Sequence, residues 1–222
     1  ASRAHLTREL ENSLKRLNTD YIDLYLIHFP DSKTPIEETL FALDDAVRQG
    51  KVRYIGCSNF SSWEICEAVW NTKVHNLNPI SCLQSQYNMI ERDFENDLAA
   101  FCKEYDMGIV PYFPLASGFL TGKYIKGKPA PEGTRFAAAP DWAKRYFTEE
   151  NFRKLASLQE FASGTDHTTT ELAIAWLLYN PLVASVIAGA TNKTQIIDNA
   201  KGGEWDLTTE EKEEVDKLLA DL

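Results

Sequence analysis

The chain has 222 residues, of which 44% are hydrophobic and 25% charged, so it can bury a sizeable core and is not disordered in bulk. Its 33 acidic residues outnumber the 23 Lys and Arg residues, which gives a formal net charge of −10 at pH 7. Proteins that bind nucleic acids or anionic membranes need a basic surface, so the charge balance argues against both kinds of partner.

Cysteines and histidines are scattered along the chain. Cys57, Cys66, Cys82 and Cys102 have neither the spacing of a zinc knuckle nor that of a redox pair, and the four histidines form no metal-ligand cluster. This pattern predicts reduced thiols in a cytoplasmic protein with no metal site. The longest apolar tract, residues 172–190, is interrupted by Pro181 and predicts a buried helix and a buried strand rather than a membrane span.

The first elements in chain order are a helix, a strand and a second helix. Leucines recur at helical spacing between residues 6 and 17, and Asn18 suits the left-handed residue that ends a helix. A nearly continuous apolar run over 21–28 predicts a strand covered on both faces, as in a parallel sheet. Thr34 is predicted to cap the second helix, and Ser61 the third.

The alternation of strands and helices continues to the end of the chain. Further strands are predicted over 51–57, 80–84, 109–113 and 183–188, and further helices over 61–70, 93–105, 149–162, 171–180 and 193–199, with a last acidic helix after Thr208. Residues 114–148, rich in Gly, Pro and Ala, are predicted to form a long loop. Strands that alternate with helices in this way indicate βα units and a parallel sheet.

Polar or aromatic residues follow each predicted strand. They are His28, then Ser58 and Asn59, then Gln84, then Tyr112, then the turn over 189–192. The carboxyl ends of the strands of a parallel barrel converge on one rim, where active sites lie. The sequence therefore predicts that these residues belong to one functional site.

Several segments resemble the aldo-keto reductase family, most closely its bacterial branch. They are residues 20–28, 50–60, 84–88, 112–115, 118–123 and 186–191, in the family's order. The resemblance implies an α/β fold, the (β/α)₈ TIM barrel, as a single partial domain over 1–222 with about five of the eight βα units. It places the family's catalytic Asp, Tyr and Lys in an amino-terminal part of roughly 100 residues that this chain is expected to lack.

The same resemblance implies a function for the intact protein. It would be an NADP(H)-dependent oxidoreductase that reduces aldehydes or ketones to alcohols by hydride transfer, with a small-molecule carbonyl substrate and no metal. These 222 residues alone are expected to show little or no turnover. One alternative is a cofactor-binding regulatory subunit without catalysis, since the family includes channel-associated subunits. Another is an incomplete gene product with no activity of its own.

The resemblance assigns roles near the reacting carbonyl. His28 would hydrogen-bond the substrate's carbonyl oxygen; the alternative is a histidine that only caps backbone groups. Ser58, Asn59 and Gln84 would hold the nicotinamide carboxamide, although Asn59 also suits a turn before a helix. Tyr112 would stack on the nicotinamide ring, or it is a core tyrosine. The candidates for the substrate pocket are Phe29, Phe60 and the loop over 124–148.

The resemblance also assigns the phosphate and adenosine contacts. Leu115, Ser117, Gly118, Thr121 and Lys123 would bind the pyrophosphate, and Gly189, Ala190, Thr191, Gln195 and Asn199 would bind the adenosine end. Gly189 and Gln195 stand where the vertebrate branch has Lys and Arg, so the preference for NADP over NAD stays open. Arg135 could supply the missing charge; the alternative is a solvated surface arginine.

An incomplete barrel has exposed strand edges and an exposed interior face. The chain is therefore expected to associate with other copies of itself through these open edges.

Overall fold

The computed structural model describes residues 1–220 of the 222 residues. The chain divides into two compact units, the first made of residues 1–85 and 95–110 and the second of residues 86–94 and 111–222. The single domain expected over 1–222 stays a prediction, and its last two residues lie outside the described ones.

Helices and strands alternate over the described residues. The strands are β1 (Ile22–Ile27), β2 (Val52–Ser58), β3 (Ile80–Gln86) and β4 (Gly108–Tyr112). The α-helices are α1 (Arg3–Leu17), α2 (Ile36–Arg48), α3 (Ser62–Val74), α4 (Leu98–Glu104), α5 (Arg135–Ala138), α6 (Pro140–Tyr146), α7 (Glu149–Gly164), α8 (Thr169–Leu178), α9 (Lys193–Lys201) and α10 (Thr209–Ala220). Short 3-10 helices cover Asp93–Glu95 and Ala116–Thr121.

The four strands form one sheet in the order β1-β2-β3-β4. β1 pairs in parallel with β2, and Ile27 lies opposite Cys57 near the ends of these strands. β2 pairs in parallel with β3, and Ser58 lies opposite Gln84. This confirms the predicted α/β fold with parallel strands, and it brings the carboxyl ends of β1, β2 and β3 next to one another.

The helix boundaries of the first unit follow local signals in two of three cases. Asn18 ends α1 with a φ of 53°, as expected. Ser61 and Glu64 form a reciprocal capping box at the start of α3. The predicted cap of α2 is wrong, because the Thr34 hydroxyl donates to Asp31 Oδ2 at 2.8 Å instead of bonding the helix.

The long loop expected over 114–148 is helical in three short pieces. It contains the second 3-10 helix, α5 and α6. Contacts between aromatic rings stabilise this segment. The ring centroids of Tyr124 and Phe136 are 4.9 Å apart, and those of Phe136 and Tyr146 are 5.3 Å apart. Such ring contacts bury large apolar areas, so a segment rich in Gly and Pro packs as part of the second unit's core.

The fifth predicted strand, over 183–188, is reduced to isolated bridge residues at Val183 and Ile187, and Ile187 pairs with Tyr112. The Ile187 amide donates to Pro111 O at 3.0 Å. Pro111 has no N–H to donate, and Phe113 leaves the extended conformation at a φ of 53°. The ladder therefore cannot extend in either direction, and Ile187 is 43% exposed rather than buried.

The apolar tract that begins at Leu172 is a buried helix, as predicted. Leu172, Ile174 and Leu177 of α8 are each at most 4% exposed. Within residues 1–220, no helix is long and apolar enough to cross a membrane. Over the same residues no group of three metal-ligating side chains occurs, and all four cysteines are free thiols.

Candidate functional site

Hydrogen bonds join Ser58, Asn59 and Gln84 at the carboxyl ends of the strands of the first unit; these three residues are called the strand-end cluster. The Ser58 hydroxyl donates to Gln84 Oε1 at 3.1 Å, and Asn59 Nδ2 donates to Ser58 Oγ at 3.0 Å. Asn59 Nδ2 also donates to the His28 carbonyl oxygen at 2.8 Å. The cluster therefore connects the ends of β1, β2 and β3.

The backbone around the cluster explains how three polar side chains fit there. Gly56 lies two residues before Ser58, and a Cβ on it would come within 2.7 Å of Cys82 O. The strands can approach this closely only because position 56 has no side chain. Asn59 adopts a φ of 60°, a left-handed conformation that Asn tolerates better than most residues. Ser58 is fully buried at 0% exposure.

The cluster leaves one amide donor for a ligand. Gln84 Oε1 accepts the Ser58 hydroxyl, whereas Gln84 Nε2 donates to no group within residues 1–220. A half-buried side-chain amide whose NH₂ group has no partner can donate to the carbonyl oxygen of another amide. This chemistry suits a carboxamide, which offers both an acceptor and a donor.

The His28 side chain stands at the end of β1 and is exposed. Its ring lies 4.5 Å from the ring of Phe29 by centroid distance. Among the described residues the imidazole makes no hydrogen bond, so it does not cap backbone groups in the way the alternative interpretation requires. In the described part of the chain, no residue therefore competes with a ligand for hydrogen bonds to the ring nitrogens of His28.

Tyr112 ends β4 and is half-buried in the second unit. Burial raises the pKa of its hydroxyl, while the nearby Arg145 guanidinium acts in the opposite direction. Its ring meets Phe113 edge-on at a centroid distance of 5.1 Å. The Phe113 carbonyl accepts from Asn88 Nδ2 at 2.9 Å, which holds the chain where it turns away from the strand.

A tight turn follows in the second unit. Ala116, Ser117 and Gly118 all have positive φ angles, of 48°, 58° and 92°. The Gly118 amide donates to Leu115 O at 2.8 Å, and the Thr121 hydroxyl donates to Gly118 O at 2.8 Å. Leu115, at a φ of −97° and a ψ of 21°, precedes Ala116 at a φ of 48°, and a right-handed residue followed by a left-handed one forms the kind of concave backbone that binds anions.

Lys123 folds back over this turn. Its Nζ lies 2.8 Å from the position that a Cβ on Gly118 would occupy, so any larger residue at 118 would displace the ammonium. Although Lys123 is exposed as a whole, partial burial of its ammonium lowers its pKa. No carboxylate within residues 1–220 pairs with it. The Ser117 hydroxyl of the same turn is buried.

The segment over 189–199 has a looser arrangement. Gln195 Oε1 accepts from the Thr191 amide at 2.7 Å and from the Thr191 hydroxyl at 3.1 Å. Asn199 Nδ2 donates to Gly189 O at 3.4 Å. Gly189, Ala190, Thr191 and Gln195 are all exposed, so the segment is shaped by its own short-range hydrogen bonds.

Arg135 is exposed, but it is not surrounded by solvent alone. Its guanidinium lies 4.9 Å from the centre of the Phe113 ring and 5.9 Å from that of Trp142. No carboxylate in the described part of the chain pairs with it. The aromatic contacts hold its position while leaving its charge available.

The structure thus brings the predicted residues together in separate groups. His28 and the strand-end cluster form one group in the first unit. In the second unit, the residues of 115–123 form the turn and those of 189–199 form the looser segment. The sequence reasoning missed Gly56, which makes room for the cluster, and Arg145 beside Tyr112. A lone Gly in a strand was the available signal for the first, and no sequence signal pointed to the second.

Comparison with known proteins decides the family. Residues 1–220 match the model described as "Aldo/keto reductase family". The chain belongs to this family.

Curated relatives within the aldo/keto reductase family carry different names. A protein of Oryza sativa subsp. japonica named "Probable voltage-gated potassium channel subunit beta" is 39% identical over 205 residues, covering 90% of this chain and 62% of the relative. The "L-glyceraldehyde 3-phosphate reductase" of Escherichia coli O157:H7 is 32% identical over 229 residues, covering 99% of this chain and 64% of the relative.

Solved aldo/keto reductase structures share the fold. The glycerol dehydrogenase from Gluconobacter oxydans superimposes with a TM-score of 0.84 at 29% identity, covering 99% of this chain and 65% of that chain. The chain thus spans 60–65% of the length of its first curated relatives. Aldo/keto reductases generally bind a nicotinamide dinucleotide, NADH or NADPH. The Gln84 amide and the unpaired Lys123 over Gly118 fit the carboxamide and the phosphates of such a cofactor.

Proposed function

We propose that this chain binds NADP(H) and belongs to an oxidoreductase that reduces aldehydes or ketones to alcohols. One observation carries the proposal. The strand-end cluster uses its internal hydrogen bonds to fix Gln84 and Asn59, and it leaves Gln84 Nε2 to bind a carboxamide. Preorganised amide donors of this kind hold a planar ligand in one orientation, which positions it for reaction.

Each group of residues has a part in this proposal. A bound nicotinamide cofactor would supply the hydride that reduces the substrate's carbonyl carbon. The exposed His28 imidazole would hydrogen-bond the carbonyl oxygen, where negative charge develops. Ser58, Asn59 and Gln84 would orient the carboxamide, and Tyr112 would give the nicotinamide ring a flat aromatic surface.

Positive charge in the second unit supports binding of the phosphates. Lys123 over the 115–123 turn would bind the pyrophosphate, and the turn's backbone amides would add donors. Arg135 would supply the charge for a 2′-phosphate, because neither Gly189 nor Gln195 can. Thr191 and Asn199, with the backbone of 189–190, would contact the adenosine end.

Carbonyl reduction is proposed for a polypeptide that also carries the family's catalytic Asp, Tyr and Lys. The resemblance matches none of the three to a residue of this sequence. We therefore expect this chain to bind the cofactor and to show little or no turnover by itself. Its four free thiols suit the reducing cytoplasm, which is the location we propose.

Titration of the chain with NADPH tests the proposal, with nicotinamide fluorescence and calorimetry as readouts. Gln84→Leu should weaken binding about tenfold, since it removes hydrogen bonds worth about 1–1.5 kcal/mol. Gln49→Leu, at an exposed residue after α2, is the matched control and should bind normally. Arg135→Gln should weaken NADPH binding more than NADH binding. The absence of dinucleotide binding at millimolar concentration would overturn the proposal.

A regulatory subunit without catalysis is the second candidate function. Relatives from Oryza sativa and Arabidopsis thaliana, each 39% identical, are named as potassium channel beta subunits. A polypeptide that also carries the Asp, Tyr and Lys discriminates the two functions. Carbonyl-dependent oxidation of NADPH supports the enzyme, whereas NADPH binding without turnover, together with stoichiometric recovery of a membrane protein, supports the subunit.

Self-association through an open sheet edge is a further part of the proposal. β1 is an edge strand, and no strand within residues 1–220 pairs with its outer side. Leu24 of β1 and Tyr54 of β2 lie opposite each other and are 37% and 62% exposed. Sedimentation should therefore show dimers or larger species, and Leu24→Glu should shift them toward monomer by placing a charge on the edge. A sharp monomer peak for the unmodified chain would contradict this part.

A further inference from the structure

Helix α3 carries apolar side chains on two faces, and the first unit covers only one of them. The inward face consists of Ile65, Ala68, Val69 and Thr72, which are all buried. On the outward face, Trp63 and Trp70 are each 66% exposed and Val74 is 59% exposed. Two tryptophans and a valine that stay uncovered on one helix form the kind of exposed apolar patch that marks an interaction surface.

The outward residues form a continuous stripe. Trp63, Cys66, Glu67, Trp70 and Val74 are spaced three and four residues apart and share one helix face; they are called the α3 stripe. The stripe continues onto α2, because the exposed ring of Phe41 contacts His75, the residue after Val74, at a centroid distance of 5.3 Å.

Local hydrogen bonds fix the orientation of the stripe. The Ser61 amide donates to Glu64 Oε2 at 2.8 Å, which closes the first turn of α3. The Ser62 hydroxyl donates to Asp97 Oδ2 at 2.5 Å and so ties this turn to the start of α4. A partner would therefore meet a preformed surface and would not have to order it.

Negative charge borders the stripe at its amino-terminal end. A groove of about 650 Å³ runs beside Trp63. Its acidic lining residues are Asp31, Glu37, Glu64 and Glu67, and its cations are Lys33 and the Ala1 amino group, which pairs with Asp31. Glu64 is occupied by the helix cap. The carboxylates of Glu37 and Glu67 form no ion pair within residues 1–220, so both can accept a cation from a partner.

We propose that the α3 stripe and its groove dock a basic amphipathic helix of a partner protein. Its apolar residues would lie against Trp70 and Val74, and its Lys or Arg side chains would meet Glu37 and Glu67, with Trp63 available for a cation–π contact. Exposed tryptophans bordered by unpaired charges are typical of the residues that dominate binding energy at interfaces.

Charge complementarity favours a basic helix over a second copy of the chain and over an anionic membrane. A second copy of the chain would present the same acidic groove to Glu37 and Glu67. The chain's net charge of −10 would repel an anionic membrane. A basic helix supplies the missing cations and an apolar face together.

Alkylation of Cys66 gives a direct test, because Cys66 is exposed while Cys57, Cys82 and Cys102 are buried. The probe is a helical peptide of about five turns made of Leu on one face and Lys on the other. A peptide with Glu in place of Lys is the control. The basic peptide should slow Cys66 alkylation about tenfold at saturation, and the acidic peptide should leave it unchanged.

Variants separate the stripe from general attraction between a basic peptide and an acidic protein. Trp70→Ala should weaken binding of the Leu–Lys peptide about tenfold, and Glu67→Gln should weaken it less. The matched controls are Leu17→Ala, at a residue that is 64% exposed at the end of α1, and Glu160→Gln, an exposed acid on α7. Circular dichroism checks that each variant is folded.

Three results would overturn the inference. The first is peptide binding without protection of Cys66, and the second is equal loss of affinity in Glu67→Gln and Glu160→Gln. The third is protection of Cys66 that rises with protein concentration in the absence of peptide, which would assign the stripe to a second copy. None of these readouts depends on catalysis, so failure here is distinguishable from failure of the proposed oxidoreductase function.

Discussion

The two regions assigned to the opposite ends of the cofactor differ in how they are held. The strand-end cluster rests on paired strands, and Ser58 within it is fully buried. The 189–199 segment follows an isolated bridge, and Thr191 and Gln195 are exposed. The first region gets its shape from the sheet, whereas the second gets it from hydrogen bonds between residues close in sequence.

This difference indicates which end of the proposed cofactor has to be held in a precise orientation. A carboxamide must be oriented to within a narrow angle if its ring is to present one carbon for hydride transfer. The adenosine end contributes affinity and has no reacting atom to place. In the proposed binding mode, the strand-end cluster gives rigid support to the nicotinamide end, and the 189–199 segment gives adaptable support to the adenosine end. Substitutions in the two regions can test this proposal.

Gly56→Ala is expected to have the largest effect on stability. Its Cβ would meet Cys82 O at 2.7 Å and Cys82 Sγ at 2.9 Å, so the pairing of β2 and β3 must shift. We expect a loss of about 1–3 kcal/mol in the free energy of unfolding, measured in urea. Gly189→Ala is the control at the other end; nothing lies within 4 Å of its Cβ position, and it should cost less than about 0.5 kcal/mol.

Ser58→Ala should come next. It removes the donor to Gln84 Oε1 and the acceptor of Asn59 Nδ2, at a residue with 0% exposure. We expect a loss of about 1–2 kcal/mol in unfolding free energy, together with weaker NADPH binding. Ser13→Ala, which removes a hydroxyl bonded to Glu9 O on α1, should be nearly neutral. Equal stability of the two variants would mean that the cluster adds no support.

The sequence predicts the paired strands better than the segment after β4. The nearly continuous apolar run over 21–28 marks β1, but the expectation that this strand is covered on both faces is wrong, because Ile27 alone among its six residues is buried. The strand predicted over 80–84 lies within β3. The run over 183–188 has the same appearance, yet it forms isolated bridges at Val183 and Ile187 and no continuous strand. Its pairing depends on Pro111, which belongs to a different strand, so the run by itself could not show the outcome.

Prediction of the candidate site from the sequence has the same limit. The positions of His28, Asn59 and Gln84 at strand ends follow from the βα alternation. The hydrogen bond from Ser58 to Gln84 does not, because it requires the register between β2 and β3, including its shift after Ile55. Likewise, the contact of Arg135 with Trp142 depends on a segment that was expected to be a loop.

Lys123, in the turn over 115–123, should make the stability of the chain depend on pH. Burial lowers its pKa, so the folded state disfavours the ammonium relative to the unfolded state. The resulting destabilisation is present at neutral pH and is lost as the pH rises through the folded pKa toward the unfolded value. Lys123→Met should therefore leave stability at pH 7 unchanged or higher, while NADPH binding weakens about tenfold.

Two measurements check the Lys123 prediction. Urea unfolding at pH 7 and pH 10 compares Lys123→Met with Lys128→Met, at a second exposed lysine. The unmodified chain and the Lys128→Met control should gain a small amount of stability at pH 10, whereas Lys123→Met should not. Amine acylation followed by mass spectrometry should show that NADPH protects Lys123. Unprotected Lys123 alongside normal NADPH binding would remove it from the phosphate site.

Gln195→Ala should have the smallest effect on stability, because Gln195 is exposed and its side-chain oxygen accepts hydrogen bonds from the neighbouring Thr191. We expect a change below about 0.5 kcal/mol in unfolding free energy, as for other surface sites. NADPH binding should still weaken a few-fold, since the Thr191 amide loses the acceptor that fixes its direction. A destabilisation as large as that of Ser58→Ala would mean that the 189–199 segment is as firmly supported as the sheet. The contrast between the two ends of the cofactor would then lose its physical basis.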